Sequence, residues 1–564
     1  MPKPRTIIPF IELGNPIALL PDGRYRTVRD ETGQREQEAA RSERCRVMRR
    51  IGTMYRSERK LTCRWSSIDG EVCMTANAEA SITPTGENSA DALSVKFQWK
   101  EIDWEDAEKH VSRMQTRISK AQTRNETNLV KRLQHLLVNS FYAKALAVRR
   151  VSQQNKGKHT AGVDGELWLT DRQKMDAVLK LNVGKYRAKP LRRVYILKKN
   201  GKTRPLSIPA MCDRAMQALY ALALDPVQEA TADPNSYGFR LGRSCQDARE
   251  QIFYLMASEK RPEWVLEGDI VGCFDNFSHQ WMLDNIPMER KILKQFIKAG
   301  YVFGNRLFPS EKGSPQGGVI SPILANMVLN GMERKIRERF PKSNTTRYAD
   351  DFVVTAKTKE DAEGIRDILT LFLKERGLEL SEEKTLITHI DSGFEFLGWR
   401  FKKYKVGKKR KLLIKPSKSS LKAIKTSVRE TVLEHGRAMT QDELIRVLNP
   451  KLRGWSGYHS SSVSSRTFGY VDTYVFRTLF KWAEHRHGDK PRRWIADRYW
   501  HPKGKRKWEF CTENEQLFRV CDVKIHRHVK VRGNTNPYID MRYYAEKRSK
   551  RKYERGYRDK SFAM

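Results

Sequence analysis

Residues 347–354 read RYADDFVV. Two adjacent carboxylates, Asp350 and Asp351, interrupt a run whose other members favour a β-strand. Like charges side by side cost energy unless a cation offsets them. A solvated turn accounts for an isolated Asp-Asp pair. Here Tyr348 and Ala349 precede it and Phe352, Val353 and Val354 follow, which tucks the turn into a sheet, where uncompensated burial is costly. The residues alone leave two readings standing: a wet turn, or a pair that holds a metal.

Working outward, Trp264 to Ile270 (WVLEGDI) predicts a short buried strand that Asp269 closes. Leu191 to Ile208 predicts a hairpin turning at Asn200-Gly201, and Thr345 to Thr355 predicts a second hairpin with the two Asp at its tip. The spacing predicts helices over 104–121, 129–148, 214–224 (stopping at Pro226), 317–338 and 361–376, with a strand over 378–390. From Ser417 the chain reads helical to about His487, then basic and irregular. This order gives an α+β fold, a small antiparallel sheet backed by helices. Residues 1–95 show no sustained periodicity and read as poorly ordered; Met74 offers an alternative start. A strand end carrying Asp269 and a turn carrying Asp350 and Asp351 would together supply carboxylates for two Mg²⁺ in phosphoryl transfer, ions that take oxygen ligands.

Charge points the same way. The 564 residues hold 108 Lys and Arg against 67 Asp and Glu, a net +41. From residue 401 onward 42 Lys and Arg face 16 Asp and Glu, so the last 164 residues carry +26 of that excess. Such a bias implies a polyanionic partner, above all nucleic acid. The tail interleaves cations with Trp455, Tyr458, Tyr474, Phe480, Trp482, Trp494, Tyr499, Trp500 and Trp508, a composition suited to phosphates and exposed bases. Trp455, Phe476 and Trp482 fall in the helical stretch and read as core. The basic runs 403–411 and 546–558 read as phosphate contacts. The eight cysteines form no Cys-x-x-Cys pair, which argues against a zinc ribbon. With no apolar leader and no apolar run of membrane-spanning length, the expectation is an intracellular protein with reduced thiols and no membrane partner, cytoplasmic and nucleoid-associated in a bacterial setting, an organelle being the other option.

The blocks resemble those of a known family. RYADDFVV resembles the Tyr-x-Asp-Asp block of reverse transcriptases; LEGDIVGCFDNFSH (266–279) resembles their first catalytic Asp block. GSPQGGVISPILANMVLNGME (313–333) resembles the template- and nucleotide-contacting block in the form typical of group II intron-encoded proteins. KKNGKTRPLSIP (198–209), DRAMQALYALAL (213–224), NSYGFRLGRS (235–244), GLELSEEKT (377–385) and FEFLGWRF (394–401) follow the family's order, NSFYAKALAVRRV (139–151) with AGVDG (161–165) looks like its N-terminal extension, and LNPKLRGWSGYH (448–459) looks like its maturase-type thumb. The likeness runs from about Trp104 to the C-terminus.

The resemblance implies a right-hand polymerase. After the poorly ordered region at 1–95, it places the N-terminal extension and fingers at 96–260 and a palm at 261–405. A helical thumb and maturase domain follows at 406–488, and a basic DNA-binding segment at 489–564. Asp269, Asp350 and Asp351, with a backbone oxygen from Ile270, would bind two Mg²⁺. Lys198 and Arg204 would clamp the nucleotide triphosphate, with Lys202 a weaker candidate. Phe274 would exclude a 2′-hydroxyl, its bland alternative being a core aromatic, and Gln316 would lie near the incoming sugar. Gly317 and Gly318 would let the backbone approach the template. Lys384, Leu397, Gly398 and Trp399 would lie near the active site and the primer terminus, and Arg453 and Trp455 in an RNA-binding block. Asp275 reads as structural. The implied partners are group II intron RNA, target DNA, an RNA template with a DNA primer, and deoxynucleoside triphosphates. The tail lacks the family's HNH endonuclease pattern, so target DNA is expected to be primed otherwise, for instance from a replication fork, in retrohoming. Two other readings compete: a splicing maturase with a vestigial polymerase, and a retron, diversity-generating or CRISPR-associated reverse transcriptase.

Overall fold

In the computed structural model the described residues are 98–547, apart from 198–200, 202, 259 and 260, together with four short strands between 17 and 76. Those strands pair as two antiparallel hairpins, Ile17–Leu19 with Tyr25–Thr27 and Cys63–Ile68 with Glu71–Ala76, in a unit ending at Ala90. The remainder of the expected poorly ordered region lies outside the described residues. The second unit runs from Asp91 to Met564.

This second unit begins with α1 (Trp104–Thr123), capped by the Asp103 carboxylate, which accepts from the backbone N–H groups of Glu105 and Asp106. The expected helix 129–148 is two helices, α2 (Thr127–Asn139) and α3 (Phe141–Arg149), because Ser140 adopts an extended conformation between them. The hairpin β1 (Leu191–Leu197) and β2 (Thr203–Ile208) follows as expected. Helix α4 (Met211–Thr231) does not stop at Pro226 but runs through it. A proline there strips the Leu222 carbonyl of its helical donor. The side chain of Gln115 from α1 donates to that carbonyl instead, at 2.9 Å, a substitution that local sequence cannot show.

After α5 (Cys245–Met256) come the strand β3 (Trp264–Gly268) and the hairpin β4 (Tyr301–Phe303) with β5 (Arg306–Phe308), which extends the β1–β2 sheet. The expected helix 317–338 divides into α6 (Ser321–Leu329) and α7 (Met332–Arg339). At the break Gly331 has φ +91° and its N–H donates to the carboxylate of Asp233. Strands β6 (Asn344–Tyr348) and β7 (Asp351–Ala356), helix α8 (Lys359–Lys374) and strand β8 (Leu386–His389) complete the central sheet. Its order is β6-β7-β3-β8, antiparallel throughout. Of the expected 378–390 strand, 386–389 form a ladder and Leu380 makes a single bridge to Ile270; residues 381–385 turn between them, Thr385 N–H donating to the Ser381 carbonyl.

Period-2 alternation gives this sheet two faces. Leu266, Phe352 and Val354 join the core formed with α1–α4 and α6–α8, whereas Val265 and Val353 join a second core with α5. The second core also takes in a three-stranded sheet of β9 (Phe394–Phe396), β10 (Trp399–Val406) and β11 (Lys409–Pro416). A third core holds α9 (Lys418–Arg429), α10 (Gln441–His459) and α11 (Ser465–Arg486). Residues from α12 (Arg492–Tyr499) and the hairpin β12 (Trp500–Lys503) with β13 (Arg506–Phe510) share it: Ile495, Tyr499, Trp500 and Phe510 are buried there. The division expected at 488 therefore does not coincide with a core boundary.

Beyond residue 525 the chain laces back along the molecule. His528 Nε2 is 2.9 Å from the Asp247 carboxylate, Arg243 donates to the Gly533 carbonyl at 2.9 Å, and Asn536 donates to Ser119 at 2.8 Å. Among the described residues no helix is long and apolar enough to cross a membrane.

Candidate active site

The pairing of β7 with β3 sets Phe352 opposite Gly268. One step further along the antiparallel ladder, Asp351 comes opposite Asp269, and Asp350 occupies the adjoining turn. A Cβ at residue 268 would stand 2.1 Å from the Phe352 ring, so only glycine lets that ring lie across β3 beneath the carboxylates. The turn itself needs Ala349 at φ +58°, a costly conformation for a residue with a Cβ. Two contacts hold it there. The buried Arg347 guanidinium donates to the Ala349 carbonyl at 3.2 Å and to the side-chain oxygens of Asn326 and Asn330, each at 3.1 Å. Gly238 presses on the turn from outside: a Cβ there would meet Ala349 N at 2.4 Å. Segment 235–237 runs alongside β6, Tyr237 N–H donating to the Arg347 carbonyl at 2.9 Å. Sequence reasoning passed over Arg347; its signal was a cation opening an otherwise strand-forming run.

Electrostatics tie the three acids together. Burial, then the charges of Asp350 and Asp269, push the Asp351 carboxyl up to about 6, against the pull of Lys384. Lys384 Nζ lies 2.8 Å from Asp269 Oδ2. The turn at 381–385 delivers it, anchored by the Ser381 N–H to the Asp269 carbonyl at 2.8 Å. Among the described residues no three His, Cys, Asp or Glu side chains close a metal shell by themselves. Mg²⁺ sites used in phosphoryl transfer complete their shells with water and substrate oxygens, and here Lys384 engages one carboxylate. A cluster whose like charges raise a carboxyl in this way is short of positive charge, which fits a cation site.

Beside the acids a polar relay runs between β2 and the 313–318 loop. Arg204 Nε donates to Gln316 Oε1 at 2.7 Å, and Gln316 Nε2 donates to Asp275 at 3.0 Å. Asp275 thus orients Gln316, in line with the structural part expected for it. Phe274 is half-buried, its ring edge-on to Phe239 and Phe277 at centroid distances of 6.3 and 6.0 Å. Ile270 is buried and pairs with Leu380. Lys198 and Lys202 lie outside the described residues.

Several expectations change. A Cβ at Gly317 would meet the Ser207 carbonyl oxygen at 2.9 Å and one at Gly318 would meet Ser321 Oγ at 2.5 Å, so packing within the protein already demands both glycines. Trp399 is fully buried in the second core and stacks on Tyr458; it is a packing residue and not a nucleic-acid contact. Trp455 packs half-buried on the third core, its Nε1–H bonded to Ser420, while Arg453 is exposed with its guanidinium over Phe518. Of the aromatics expected as core, Trp482 is buried and Phe476 is not. Tyr499 and Trp500 are buried, leaving Trp494 and Trp508 exposed. Within the 403–411 run, Lys403 is buried against Glu263 at 3.2 Å and Arg410 pairs with Glu263 and Asp391, so these two cations are structural. The 546–558 run lies outside the described residues from 548 on.

Comparison with known proteins gives three consecutive family matches. Residues 99–181 match the N-terminal domain of reverse transcriptase, 196–401 match reverse transcriptase (RNA-dependent DNA polymerase), and 421–500 match the group II intron maturase-specific domain. Protein YkfC of Escherichia coli (strain K12) is 32% identical over 339 residues, covering 51% of this chain and 88% of the relative. The group II intron-encoded protein LtrA of Lactococcus lactis subsp. cremoris is 28% identical over 412 residues, covering 56% and 68%. The chain belongs to the group II intron-encoded reverse transcriptase/maturase family. A more distant relative of this reverse transcriptase, maturase-like protein 1 of Euglena gracilis, is 24% identical over 386 residues, covering 67% of the chain and 80% of the relative. The reverse transcriptase is an RNA-directed DNA polymerase joined to a splicing maturase domain. That domain favours the intron type over a retron or CRISPR-associated enzyme.

Proposed function

We propose that Asp269, Asp350 and Asp351, with the backbone oxygen of Ile270, hold two Mg²⁺ at the end of the central sheet and that DNA synthesis takes place there. The observation that carries this is the strand register, which ends the β3–β7 pairing at Gly268 and Phe352, the neighbours of Asp269 and Asp351, with Asp350 in the adjoining turn. Bound there, the ions would lower the pKa of the primer 3′-hydroxyl and offset charge on the leaving pyrophosphate. The chain's own groups do the positioning. Lys384 orients the Asp269 carboxylate. Arg204 and Gln316, locked to each other and to Asp275, face the incoming nucleotide, Arg204 with Lys198 on its triphosphate and Gln316 near its sugar. Phe274 offers a flat wall where a 2′-hydroxyl would sit.

In this reading the central sheet with β9–β11 is the palm. The β1–β2 sheet and α1–α5 are fingers and N-terminal extension, and α9–α11 the thumb. Leu397 and Gly398 sit at the primer terminus, and Arg453 belongs to an RNA-binding face. The exposed cations and aromatics after residue 488 bind target DNA for retrohoming, in the cytoplasm close to the nucleoid. Primer extension with oligo(dT) on poly(rA) and Mg²⁺ tests the assignment. The wild-type chain should make DNA, and Asp350→Ala should make none while binding RNA within a few-fold of wild type. Loss of both activities in Asp350→Ala would overturn the catalytic role in favour of a folding one.

A further inference from the structure

The turn between β9 and β10 has two successive residues in the left-handed region, Leu397 at φ +48° and Gly398 at φ +78°. Glycine adopts this freely, whereas leucine does so only under constraint. The constraint comes from α10, a different core. Tyr458 reaches out of the third core, and its hydroxyl donates to the Leu397 carbonyl at 2.8 Å. Its ring stacks on Trp399 at a centroid distance of 4.5 Å and 12° between planes. Burial pushes the phenol up, so it remains a donor at any physiological pH. The turn's other carbonyl, on Gly398, accepts from Ser417 N–H at 2.9 Å, just where α9 begins. Next along α10, His459 meets the edge of Trp399, and its Nε2 is 2.9 Å from Ser420 Oγ on α9. The 397–398 turn is therefore held from two sides: the end of its own β10–β11 ladder bonds the Gly398 carbonyl, and Tyr458 of the maturase bundle bonds the Leu397 carbonyl. Tyr458 packs on the same second core as Tyr348, which pairs directly with Asp351.

We infer that Tyr458 is a positioning residue for DNA synthesis: its hydroxyl fixes the Leu397–Gly398 turn at the primer terminus, so that placement of the maturase helix α10 sets how well the primer end is held. This rests on the assignment of that turn to the primer terminus made above. Tyr458→Phe keeps the ring and its stack on Trp399 and removes only the bond to Leu397.

The test is steady-state extension of oligo(dT) on poly(rA) by the full chain, with KM for primer–template, KM for dTTP and kcat measured separately. Tyr458→Phe should raise KM for primer–template about five- to tenfold, the factor expected for one neutral hydrogen bond. The kcat and the KM for dTTP should stay within about twofold. Leu397→Gly removes the strain that the hydroxyl holds in check, so Leu397→Gly with and without Tyr458→Phe should give the same primer–template KM within about twofold. That pairwise comparison decides the matter even if Tyr458→Phe alone is less stable. An unchanged primer–template KM in Tyr458→Phe would overturn the inference. So would a fall in kcat and in poly(rA) affinity together with a rise in both KM values, or an equal penalty in the Leu397→Gly background. Failure of the wild-type chain to extend the primer would instead overturn the catalytic assignment itself.

Discussion

The guanidinium of Arg347 donates to the carbonyl of Ala349, 3.2 Å away, from a position 2% exposed to solvent. One buried side chain thus pins the turn that presents Asp350. Its other partners, Asn326 and Asn330, lie at the end of α6, so the helix and the hairpin tip are a single hydrogen-bonded piece. Lysine cannot reproduce the fork. Arg347→Lys should cost about 3 kcal/mol of stability by leaving buried acceptors unpaired. It should also lower kcat for primer extension more than tenfold while RNA affinity holds within about twofold. Chemical denaturation and primer extension at 25 °C check this; full activity in a destabilised variant would show that the tip does not need its anchor.

Asp351 makes a pH prediction. Its carboxyl is pushed up to about 6 in the folded chain, above the unfolded value near 4. Its contribution to stability is therefore full below about pH 4 and lost as pH rises through 6. Without divalent ions, the thermal midpoint should fall over that interval, and Mg²⁺ should restore it more at pH 7.5 than at 5.5, where protons compete with the cation. Asp351→Asn should flatten both trends in a melting series. An Mg²⁺ effect that is identical at the two pH values would count against metal binding at this carboxylate.

Lys384 stands 2.8 Å from Asp269 and places a positive charge beside the cation site. Replacing it by methionine keeps the stem and removes the charge. A unit charge a few ångströms away, screened as at a protein surface, is worth on the order of 1 kcal/mol or more. The Mg²⁺ concentration for half-maximal extension should thus fall about three- to tenfold in Lys384→Met. Titrating extension rate against Mg²⁺ reads this directly, and an unchanged midpoint would mean that Lys384 swings away before metal enters.

Phe274 leans on Phe239 and Phe277, so its ring has little freedom to retreat. Phe274→Val should raise use of ribonucleotides relative to deoxynucleotides by about ten- to a hundredfold, the range a shape-based pocket commands. Paired extension assays with dTTP and UTP measure the ratio. If both rates fall in proportion, the ring is packing and not a sugar filter.

Far from the acids, Asp247 is wholly buried and takes hydrogen bonds from His528 at 2.9 Å and from the Val531 N–H at 2.8 Å. Burial alone would raise its carboxyl; His528, the Lys547 charge and the Ser244 hydroxyl outweigh it and hold the group well below the usual carboxylate range. The stability this supplies is full above the unfolded pKa near 4 and fades as pH falls below it. Asp247→Asn should lower stability at pH 7 by about 3 kcal/mol, as when one partner of a buried pair is removed, with a gap that narrows below pH 4. Denaturation curves at the two pH values check the sign.

Sequence alone determined the central architecture, because strand alternation and turn chemistry are local. The RYADDFVV hairpin, the Asn-Gly hairpin and the capped helices are written in neighbouring residues, and the ordered blocks identified the family. For the acids the residues alone left a wet turn and a metal pair both open, and the resemblance of the ordered blocks singled out Asp269, Asp350 and Asp351. Only the tertiary structure decided what surrounds them. That Pro226 sits inside a helix depends on Gln115, a hundred positions away. That Trp399 is core and Lys403 structural depends on Tyr458 and Glu263 arriving from other elements. The 526–547 segment, basic and irregular in sequence, is fixed by Asp247, Arg243 and Ser119, which no local pattern marks as its partners. Burial and pairing are properties of the assembled chain: a charge or a ring is surface or core according to what packs on it, and that is settled only when distant segments meet.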